Sequence, residues 1–437
     1  MLKMFSIKYI VDKGRVLFRK GAFHVFVGNF VNKFIGLFGS IFIVRLLTKT
    51  DYGTLGYVEN LYSYGYIFSG LGLSAATLRY GVIISDKNQR KGVYDFLIKG
   101  QWLINLGLMG IIILFAWLYP HPSQYAGAAI LLTILVLGLP FQDMQNTNLL
   151  YERSQLENKR YMYLSVFASV LSVFFRVLGS GAYGVRGTIS FKVFAEIIAC
   201  IVISWIVYNT YFKSIKKQRI EKSLKKEIFV FAINNMIANG IWILFMLTDT
   251  FLIGRLLNSP DLLADYKVAY VLPSNLAIVT SAVATFVTPY FVKNEKDFRW
   301  VKNNYFKTMI CNLALVGSLA IVLFLFAPQF ILLLYGNDYL NIVPVMRALL
   351  IAHLINSGVK TITASLLTAM GYARENVIIS MEAFILQISL ATYVLPRYGI
   401  MGLAINNIFV YLLMAMILVA VFIKKFGIVN FNRKINF

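Results

Sequence analysis

Charged residues are scarce in this chain of 437 residues: Asp, Glu, Lys and Arg make up only 14% of it, where soluble domains carry about 25%. Hydrophobic residues make up 59%, against roughly 45–50% in soluble domains. A soluble globule cannot bury that much apolar surface, and a disordered chain would not contain it. The composition therefore predicts a protein that crosses a membrane many times.

Cysteine and histidine are scarcer still. The two cysteines, Cys200 and Cys311, lie inside apolar runs, which excludes a disulfide framework and disfavours a cysteine zinc site. The three histidines, His24, His121 and His353, lie far apart, which argues against a histidine metal centre. The sequence also lacks a phosphate-binding glycine loop, a nucleophile elbow and a paired-carboxylate motif on any soluble-like segment. We therefore predict no enzymatic activity, no cofactor and no metal.

The net charge of +23 does not indicate nucleic-acid binding, because Lys and Arg fall in short segments between apolar runs. That placement is typical of cytoplasmic loops, so we expect a lipid bilayer and not a nucleic acid as partner. No cleavable signal peptide is evident. The basic, amphipathic stretch 1–21 leads into an apolar run that is too long for the hydrophobic region of a signal.

Twelve stretches are long and apolar enough to span a membrane as helices, which takes about 20 residues each. They cover roughly 22–46, 55–82, 100–119, 124–148, 161–180, 184–209, 228–253, 267–292, 303–326, 343–369, 375–394 and 399–423. We number these spans from one to twelve. They predict an all-α polytopic membrane protein of about twelve transmembrane helices.

Lys and Arg counts predict the orientation of these spans. With the N-terminus inside, the inner segments hold 30 of these residues and the outer segments hold 7. Positive residues concentrate on the cytoplasmic side of membrane proteins. Both termini are therefore predicted to be cytoplasmic, with an even number of spans.

The chain also divides into two similar halves. The first span ends IVRLLTKTD (43–51) and the seventh ends IGRLLNSPD (253–261), so each has Asp six residues after Arg. Six spans plus six in the same orientation predict a parallel repeat. The predicted domains are a cytoplasmic basic N-terminus (1–21), a six-helix bundle (22–209), a cytoplasmic basic linker (210–227), a second six-helix bundle (228–423) and a cytoplasmic tail (424–437).

The sequence resembles a known family at these boundaries. The stretch VRLLTKTDYGTLGYVENLYSYGYIFSGLGLSAATLRYG (44–81) is similar to the opening signature of bacterial polysaccharide flippases. The segments DTFLIGRLL (249–257) and ADYKVAYVLPSN (264–275) resemble the seventh and eighth spans of the same family. The resemblance covers the whole chain. It places the chain among the O-antigen and capsule repeat-unit transporters of the multidrug/oligosaccharidyl-lipid/polysaccharide (MOP) exporter superfamily, with MATE-like bundles.

This resemblance implies a flippase that moves undecaprenyl-pyrophosphate-linked oligosaccharides by alternating access, with the polysaccharide polymerase machinery as a further partner. Related lipid II flippases usually carry fourteen spans, whereas this chain has twelve. The multidrug branch commonly uses acids in its first or seventh span, whereas the first span here has Lys33 and no acid. Two alternatives stay open: a multidrug cation antiporter, and a membrane polysaccharide polymerase or ligase.

Charged residues within or beside the spans are the candidate site residues, because a charge at the bilayer centre costs roughly 2.5–3.5 kcal/mol and needs a partner or a pathway. The basic candidates for substrate contact are Lys33, Arg79, Arg176, Lys192, Lys267 and Lys360. The acidic candidates, for ion coupling or structural pairing, are Asp143, Glu196, Asp249 and Glu382.

Each candidate has a functional and a structural interpretation. Lys33 is a phosphate contact in a central cavity or one half of an ion pair. Arg79 receives the pyrophosphate at the cytoplasmic mouth or extends to the lipid headgroups. Lys192 and Glu196, four residues apart, satisfy each other or serve other helices.

The remaining candidates are equally open. Arg176 extends to the headgroups or lines the cavity, and Lys267 is a weaker substrate candidate near the outer end of its span. Asp249 makes an interhelix bond or couples transport to a proton or cation. Lys360 and Glu382 are expected to pair with each other, and the role of Asp143 is undefined.

Overall fold

The computed structural model describes residues 22–125, 127–216 and 218–426. The predicted N-terminal segment 1–21 and most of the tail 424–437 lie outside these ranges. Within them, nine helices are long and apolar enough to cross a membrane. Two of the nine contain 55 and 54 residues, or about 80 Å of helix, which is more than twice the roughly 30 Å of the hydrocarbon core.

The first of these long elements, Asn158–Val207, is a hairpin that contains the fifth and sixth spans. Its backbone leaves the helical region at Tyr183 and Gly184. The hydroxyl oxygens of Ser180 and Thr188 are 2.7 Å apart, although eight residues of continuous helix would separate them by about 12 Å. The chain therefore reverses at Gly184, and the sixth span continues into a π-helical turn, Tyr208–Phe212.

The second long element, Ala373–Phe426, contains the eleventh and twelfth spans in the same way. Its backbone breaks at Gly399 (φ 59°). The Gln387 amide donates to the Asn407 side-chain oxygen at 3.1 Å, across a separation of 20 residues that would measure about 30 Å in a continuous helix. These two hairpins raise the number of membrane helices from nine to eleven in the described ranges.

The twelfth membrane helix is the second span, which is interrupted. Its pieces are Lys49–Tyr66, the 3-10 turn Ser69–Gly72 and Leu73–Ile83. Gly70 and Gly72 have positive φ angles of 53° and 77°, which glycine adopts without the steric cost paid by other residues. The Asn105 side-chain oxygen accepts from the Gly70 N–H at 2.7 Å, so a backbone donor freed by the break is satisfied.

The other spans follow the sequence prediction, with helix ends that extend into the polar flanks. Their bounds are Ala22–Leu46 (first), Lys87–Leu118 (third), Ala128–Val136 with Leu139–Ser154 (fourth), Lys222–Leu252 with the π-helical Ile253–Leu257 (seventh), Pro260–Ser274 with Ala277–Lys293 (eighth), Phe298–Leu325 (ninth), and Val343–Ile355, Asn356–Thr361 and Ile362–Ala369 (tenth). Short helical segments, Ala327–Tyr335 and Asn337–Ile342, precede the tenth span. The prediction of an all-α polytopic fold with about twelve membrane helices is confirmed.

The chain forms two compact units, Met1–Gly240 and Ile241–Phe437. We call them the N-terminal and C-terminal units. In the N-terminal unit, the first span packs along the fifth, where a Cβ atom at Gly39 would lie 2.7 Å from the Val173 methyl groups. The C-terminal unit has an apolar core that includes Tyr305 and Phe422, whose ring centroids are 3.7 Å apart.

The seventh span begins inside the N-terminal unit. A Cβ atom at Gly72 would lie 2.4 Å from the Ala232 carbonyl oxygen, so the second and seventh spans meet backbone to backbone. The non-helical part of the predicted linker crosses the start of the third span, where Lys91 Nζ donates to the carbonyls of Phe212 and Ile215 at 3.1 and 2.8 Å. The predicted bundle limits, 22–209 and 228–423, stay predictions.

Candidate functional site

Asp249 is the centre of a buried polar cluster in the C-terminal unit. It lies near the end of the seventh span and is 8% exposed. Its carboxylate accepts from the Tyr266 hydroxyl at 2.5 Å, from the Gln387 amide at 2.6 Å and from the Asn407 amide at 2.6 Å. These partners come from the eighth, eleventh and twelfth spans, so a single carboxylate joins four membrane helices.

The partners of Asp249 are also bonded to one another. The Asn407 amide donates to the Tyr266 hydroxyl at 2.9 Å, and the Asn406 amide donates to the Gln387 side-chain oxygen at 3.0 Å. Each group in this network is neutral except the carboxylate itself. Such a site surrounds a carboxyl group inside the membrane with neutral hydrogen-bond donors, and it offers several oxygen atoms to a proton or a monovalent cation.

Lys360 is a buried basic residue of the C-terminal unit, and the expected pairing with Glu382 is wrong. The Lys360 ammonium lies 3.6 Å from the centre of the Trp242 ring, in a cation–π contact, and the residue is 4% exposed. Glu382 is exposed on the eleventh span. The π-helical turn Asn356–Thr361 rotates the helix face that carries Lys360, which spacing along an ideal helix does not anticipate.

In the N-terminal unit, two of the candidate bases are held in ion pairs. Arg176 donates to Glu59 of the second span at 2.6 Å, and both side chains are half-buried. Lys192 and Glu196 pair at 3.0 Å across one turn of the sixth span. The structure thus shows the self-satisfied i,i+4 arrangement for Lys192 and Glu196, and it gives Arg176 a partner that sequence reasoning did not name.

Lys33 differs from these paired bases. It lies about 16 Å along the helix Ala22–Leu46, near the middle of a bilayer core of about 30 Å. The face of this helix that carries Asn32 packs on the fifth span, where the Asn32 amide donates to the Ser165 hydroxyl at 3.2 Å. The Lys33 side chain is exposed on its unit and makes no hydrogen bond or ion pair within 22–125, 127–216 and 218–426.

The remaining bases are at or near helix ends. The Arg79 guanidinium is exposed in the last turns of the second span, 4.9 Å from the Phe231 ring centre. Lys267 is half-buried in the eighth span of the C-terminal unit. Of the six basic candidates, four belong to the N-terminal unit (Lys33, Arg79, Arg176 and Lys192) and two to the C-terminal unit (Lys267 and Lys360).

Asp143 stabilises the break in the second span through hydrogen bonds. Its carboxylate accepts from the Asn105 amide at 2.9 Å, and the Asn105 oxygen accepts from the Ser69 hydroxyl at 3.2 Å and from the Gly70 N–H. A Cβ atom at Gly70 would lie 2.5 Å from an Asp143 oxygen. The shape of the broken helix thus positions the carboxylate of Asp143. The sequence leaves the role of Asp143 open, and these contacts support a structural role at the break.

Sequence reasoning missed several residues of these clusters. Glu59 and Glu152 are acids in membrane helices, and Glu152 is fully buried, accepting from the Tyr211 hydroxyl at 2.8 Å. Glu59 lies inside the predicted second span, so its charge alone is a sufficient signal. The amides Gln387 and Asn407 carry no charge and give no such signal. In the described part of the chain, no group of three or more His, Cys, Asp or Glu side chains is arranged to hold a metal ion.

Sequence comparisons give one family and one curated relative. The sequence model of a family described as polysaccharide biosynthesis protein matches residues 42–344. A protein of Shigella flexneri named "Putative O-antigen transporter" is 24% identical over 217 residues, which are 49% of this chain and 50% of that protein. The chain therefore matches about half the length of this curated relative.

Solved structures of two transporters have a similar fold. The lipid II flippase MurJ in an inward closed conformation has a TM-score of 0.71 at 16% identity, over 92% of this chain and 88% of that chain. An inward-facing multidrug resistance MATE family transporter of the MOP superfamily has a TM-score of 0.70 at 14% identity, over 91% of this chain and 94% of that chain. These similarities confirm the expected MATE-like fold.

Proposed function

The chain belongs to the family of polysaccharide biosynthesis proteins, and from that premise we propose that it is a flippase for undecaprenyl-pyrophosphate-linked oligosaccharides. The cargo in this proposal is the repeat unit of an O-antigen, a capsule or an exopolysaccharide. Transport proceeds by alternating access and needs no catalytic step on the glycan. The similarity to an O-antigen transporter and the fold shared with a lipid II flippase both support this assignment.

The observation that carries the proposal is the charge balance within the N-terminal unit. Four of its buried or half-buried acids are engaged: Glu59 by Arg176, Glu196 by Lys192, Asp143 by Asn105 and Glu152 by Tyr211. Lys33, in the middle of the first span, has no acid among the described residues. An uncompensated cation at that depth is costly, and a pyrophosphate is a ligand that would compensate it.

In this proposal, the other basic residues have different roles. Arg79, at the inner end of the second span, meets the pyrophosphate early, and Lys33 binds it deeper in the membrane. Lys267 is a weaker contact near the outer end of the eighth span. Arg176 and Lys192 shape the N-terminal unit through their ion pairs and have no primary role in binding.

Asp249 is the residue that we propose for coupling transport to a proton or a monovalent cation. Of the four acidic candidates, it is the one in the C-terminal unit that is buried among partners from several spans. Protonation or cation binding would change how its carboxylate is bonded and hence how four helices are joined. This residue also favours the second candidate function, multidrug cation antiport, in which the same acid would serve a cationic drug.

The proposed location is the inner membrane, with both termini and the 210–227 linker in the cytoplasm and the polymerase machinery as a possible neighbour. The 30-to-7 distribution of Lys and Arg supports it. Reporter fusions after Ile215 and after Phe437 should be active only on the cytoplasmic side. Periplasmic activity at either position would overturn both the orientation and the count of spans.

The central test uses a strain that lacks its own repeat-unit flippase and scores surface polysaccharide, with protein level checked by blot. Lys33→Glu should abolish export. Lys33→Ala should reduce it about tenfold, which corresponds to loss of one charge-assisted contact of about 1.4 kcal/mol. Lys33→Arg should keep most of it, because the charge remains.

Lys425→Ala is the matched control, because Lys425 pairs with Glu375 at 3.1 Å at the end of the last span, away from mid-membrane. It should export normally. Full export by Lys33→Glu at normal protein level would show that Lys33 does not contact an anionic headgroup. Drug resistance without polysaccharide export by the unmodified chain would favour multidrug antiport instead.

A further inference from the structure

The exposed face of the first span carries a row of phenylalanines. They follow one another at intervals of four residues, are between 37% and 55% exposed, and are Phe26, Phe30, Phe34, Phe38 and Phe42. The ring centroids from Phe26 to Phe38 are 6.2, 4.6 and 6.4 Å apart, so these rings form a continuous row. The row extends over about 24 Å of helix, most of the roughly 30 Å of a bilayer core. We call these five residues the phenylalanine ladder.

An apolar groove lies between this ladder and the fifth span. Its volume is about 350 Å³, and it is lined by the last four members of the ladder together with Val31, Ile35, Gly39 and Val173. Because Gly39 has no side chain, the Val173 methyl groups approach the backbone of the first span, and the groove borders that contact. The lining side chains are all apolar, so the groove suits a hydrocarbon chain.

The ladder begins next to Lys33. Each step of four residues turns the helix by about 40° beyond a full turn, so the ladder winds slowly around the first span. Lys33 lies seven residues after Phe26 and three after Phe30, spacings that put the three side chains on one face. Phe42, at the other end, lies three residues after Gly39 and borders the groove beside the fifth span. The first span thus has a cation on one edge of its exposed face and a row of rings on the other.

The depth of Lys33 restricts which lipid can use both edges. A resident phospholipid keeps its phosphate at the bilayer surface, about 15 Å from the middle of the core, where Lys33 lies. A lipid whose pyrophosphate passes Lys33 brings its own tail to the same depth, beside the ladder. A lipid in transit therefore suits the combination of a cation and an adjacent hydrocarbon groove better than a resident phospholipid does.

A second copy of the chain is a poorer occupant of the groove. Two ladders that pack across a two-fold axis would bring the Lys33 side chains of both copies to one interface. Like charges repel each other strongly in a medium of low dielectric constant. The position of Lys33 beside the ladder thus favours a lipid with an anionic group over self-association.

The shape of a tail decides how well it packs on the ladder. Hydrophobic driving force is weak inside a bilayer, where all tails are apolar, so close packing determines what associates there. The rings of the ladder are rigid and repeat about every 6 Å along the helix. The methyl branches of an isoprenoid chain fill the spaces between such rings, whereas a straight saturated chain leaves them empty and loses contact energy.

We propose that the phenylalanine ladder and its groove bind the polyisoprenoid tail of the cargo while Lys33 holds the pyrophosphate. This inference rests on the proposed function, because it assigns the tail of the same lipid to the span that carries Lys33. It predicts that the protein distinguishes isoprenoid tails from saturated tails that carry the same headgroup.

Native mass spectrometry of the purified full-length chain tests this without transport. The probes are farnesyl pyrophosphate, which has an isoprenoid tail, dodecyl pyrophosphate, whose saturated main chain has the same length, and phosphatidylglycerol, a resident anionic phospholipid. We expect farnesyl pyrophosphate to bind at least about tenfold more tightly than dodecyl pyrophosphate, and phosphatidylglycerol not to displace it. Equal affinities for the two pyrophosphates would overturn the proposal. Displacement by phosphatidylglycerol would also overturn it, because the groove would then belong to bilayer lipid.

Variants of the ladder separate the effect of the rings from that of an apolar surface. Phe34→Leu with Phe38→Leu keeps the surface apolar but removes two rings. It should lower the affinity for farnesyl pyrophosphate about tenfold and leave that for dodecyl pyrophosphate unchanged. Phe409→Leu is the matched control, because Phe409 and Phe38 are both 52% exposed on membrane helices, and it should bind both pyrophosphates normally.

Two results with these variants would contradict the proposal. One is an unchanged affinity for farnesyl pyrophosphate in the double variant. The other is a dimer of the unmodified chain in the mass spectrum that the double variant loses, because the ladder would then be an interface between two copies.

The cellular assay separates this inference from the proposed function. If the unmodified chain exports no lipid-linked glycan, the proposed function fails whatever the binding shows. If it exports the glycan, and Phe34→Leu with Phe38→Leu exports as much at equal protein level, only the tail site fails. Reduced export by the double variant, with normal export by Phe409→Leu, would support the site.

Discussion

In the N-terminal unit, two candidate bases meet charges of opposite sign, whereas in the C-terminal unit the candidates Asp249 and Lys360 have neutral partners. Arg176 pairs with Glu59, and Lys192 pairs with Glu196. Asp249 is held by a phenol and two amides, and Lys360 lies against an indole. Ion pairs and neutral partners are thus two ways in which these membrane helices accommodate a charge.

This difference has a physical consequence. An ion pair compensates both of its members, so an incoming ion gains little by approaching it and pays to separate the pair. A group held only by neutral dipoles has no counter-ion from which it must be separated, and its charged form is stabilised when a counter-ion arrives. We therefore expect ion coupling at Asp249 and anion binding at Lys33, and a structural role for the charges that are held in ion pairs.

Loss of the Asp249 charge should give the largest effect. Asp249→Asn keeps the size of the side chain but removes the carboxylate that binds a proton or cation. The amide N–H groups of the new asparagine also face the amide donors of Gln387 or Asn407. Export should fall at least about tenfold, equivalent to about 1.4 kcal/mol or more of lost coupling. Surface polysaccharide at normal protein level is the measurement.

Two variants control for this result. Glu382→Gln neutralises an exposed acid of the same unit and should leave export unchanged. Tyr266→Phe removes one donor to Asp249 while leaving the carboxylate, and should cost stability of about 1 kcal/mol with most of the export retained. Normal export by Asp249→Asn would show that an unpaired charge in this unit is not a functional one.

The fold could be predicted from the sequence because the bilayer sets the length of each helix. The twelve apolar stretches correspond to twelve membrane helices in the described ranges, including the turns at Gly184 and Gly399 that join paired spans. The sequence does not predict the break at Gly70–Gly72, because glycine in a membrane helix also allows neighbouring helices to pack closely. Only the tertiary contact between Asn105 and Gly70 identifies it.

The candidate site was predicted less completely, and the reason is chemical. A charge in an apolar stretch is visible in the sequence, so Asp249 and Lys360 were identified. Their partners are the neutral side chains Gln387, Asn407 and Trp242, which occur in membrane helices for many reasons. Partners between distant spans also depend on packing, so the pairing of Arg176 with Glu59 required the structure.

Breaking the Glu59–Arg176 pair should have a smaller effect than losing Asp249, and mainly on stability. Glu59→Gln or Arg176→Gln removes one member of this half-buried ion pair, which should lower the free energy of unfolding by roughly 1–3 kcal/mol. The exchanged pair, Glu59→Arg with Arg176→Glu, should recover most of this loss. Thermal unfolding of the purified variants measures it, and a double variant no more stable than the singles would exclude a direct pair.

The smallest effect is expected when Lys192 and Glu196 are neutralised together. Their pair is local to one helix and 3.0 Å long, so Lys192→Gln with Glu196→Gln removes both charges and leaves neither uncompensated. Stability should change by less than about 1 kcal/mol, whereas Lys192→Gln alone should cost roughly 1–3 kcal/mol. Export by the double variant should equal that of the unmodified chain. A double variant that is stable but fails to export would show that a paired charge also contacts the cargo, and pairing would no longer separate structural from functional charges.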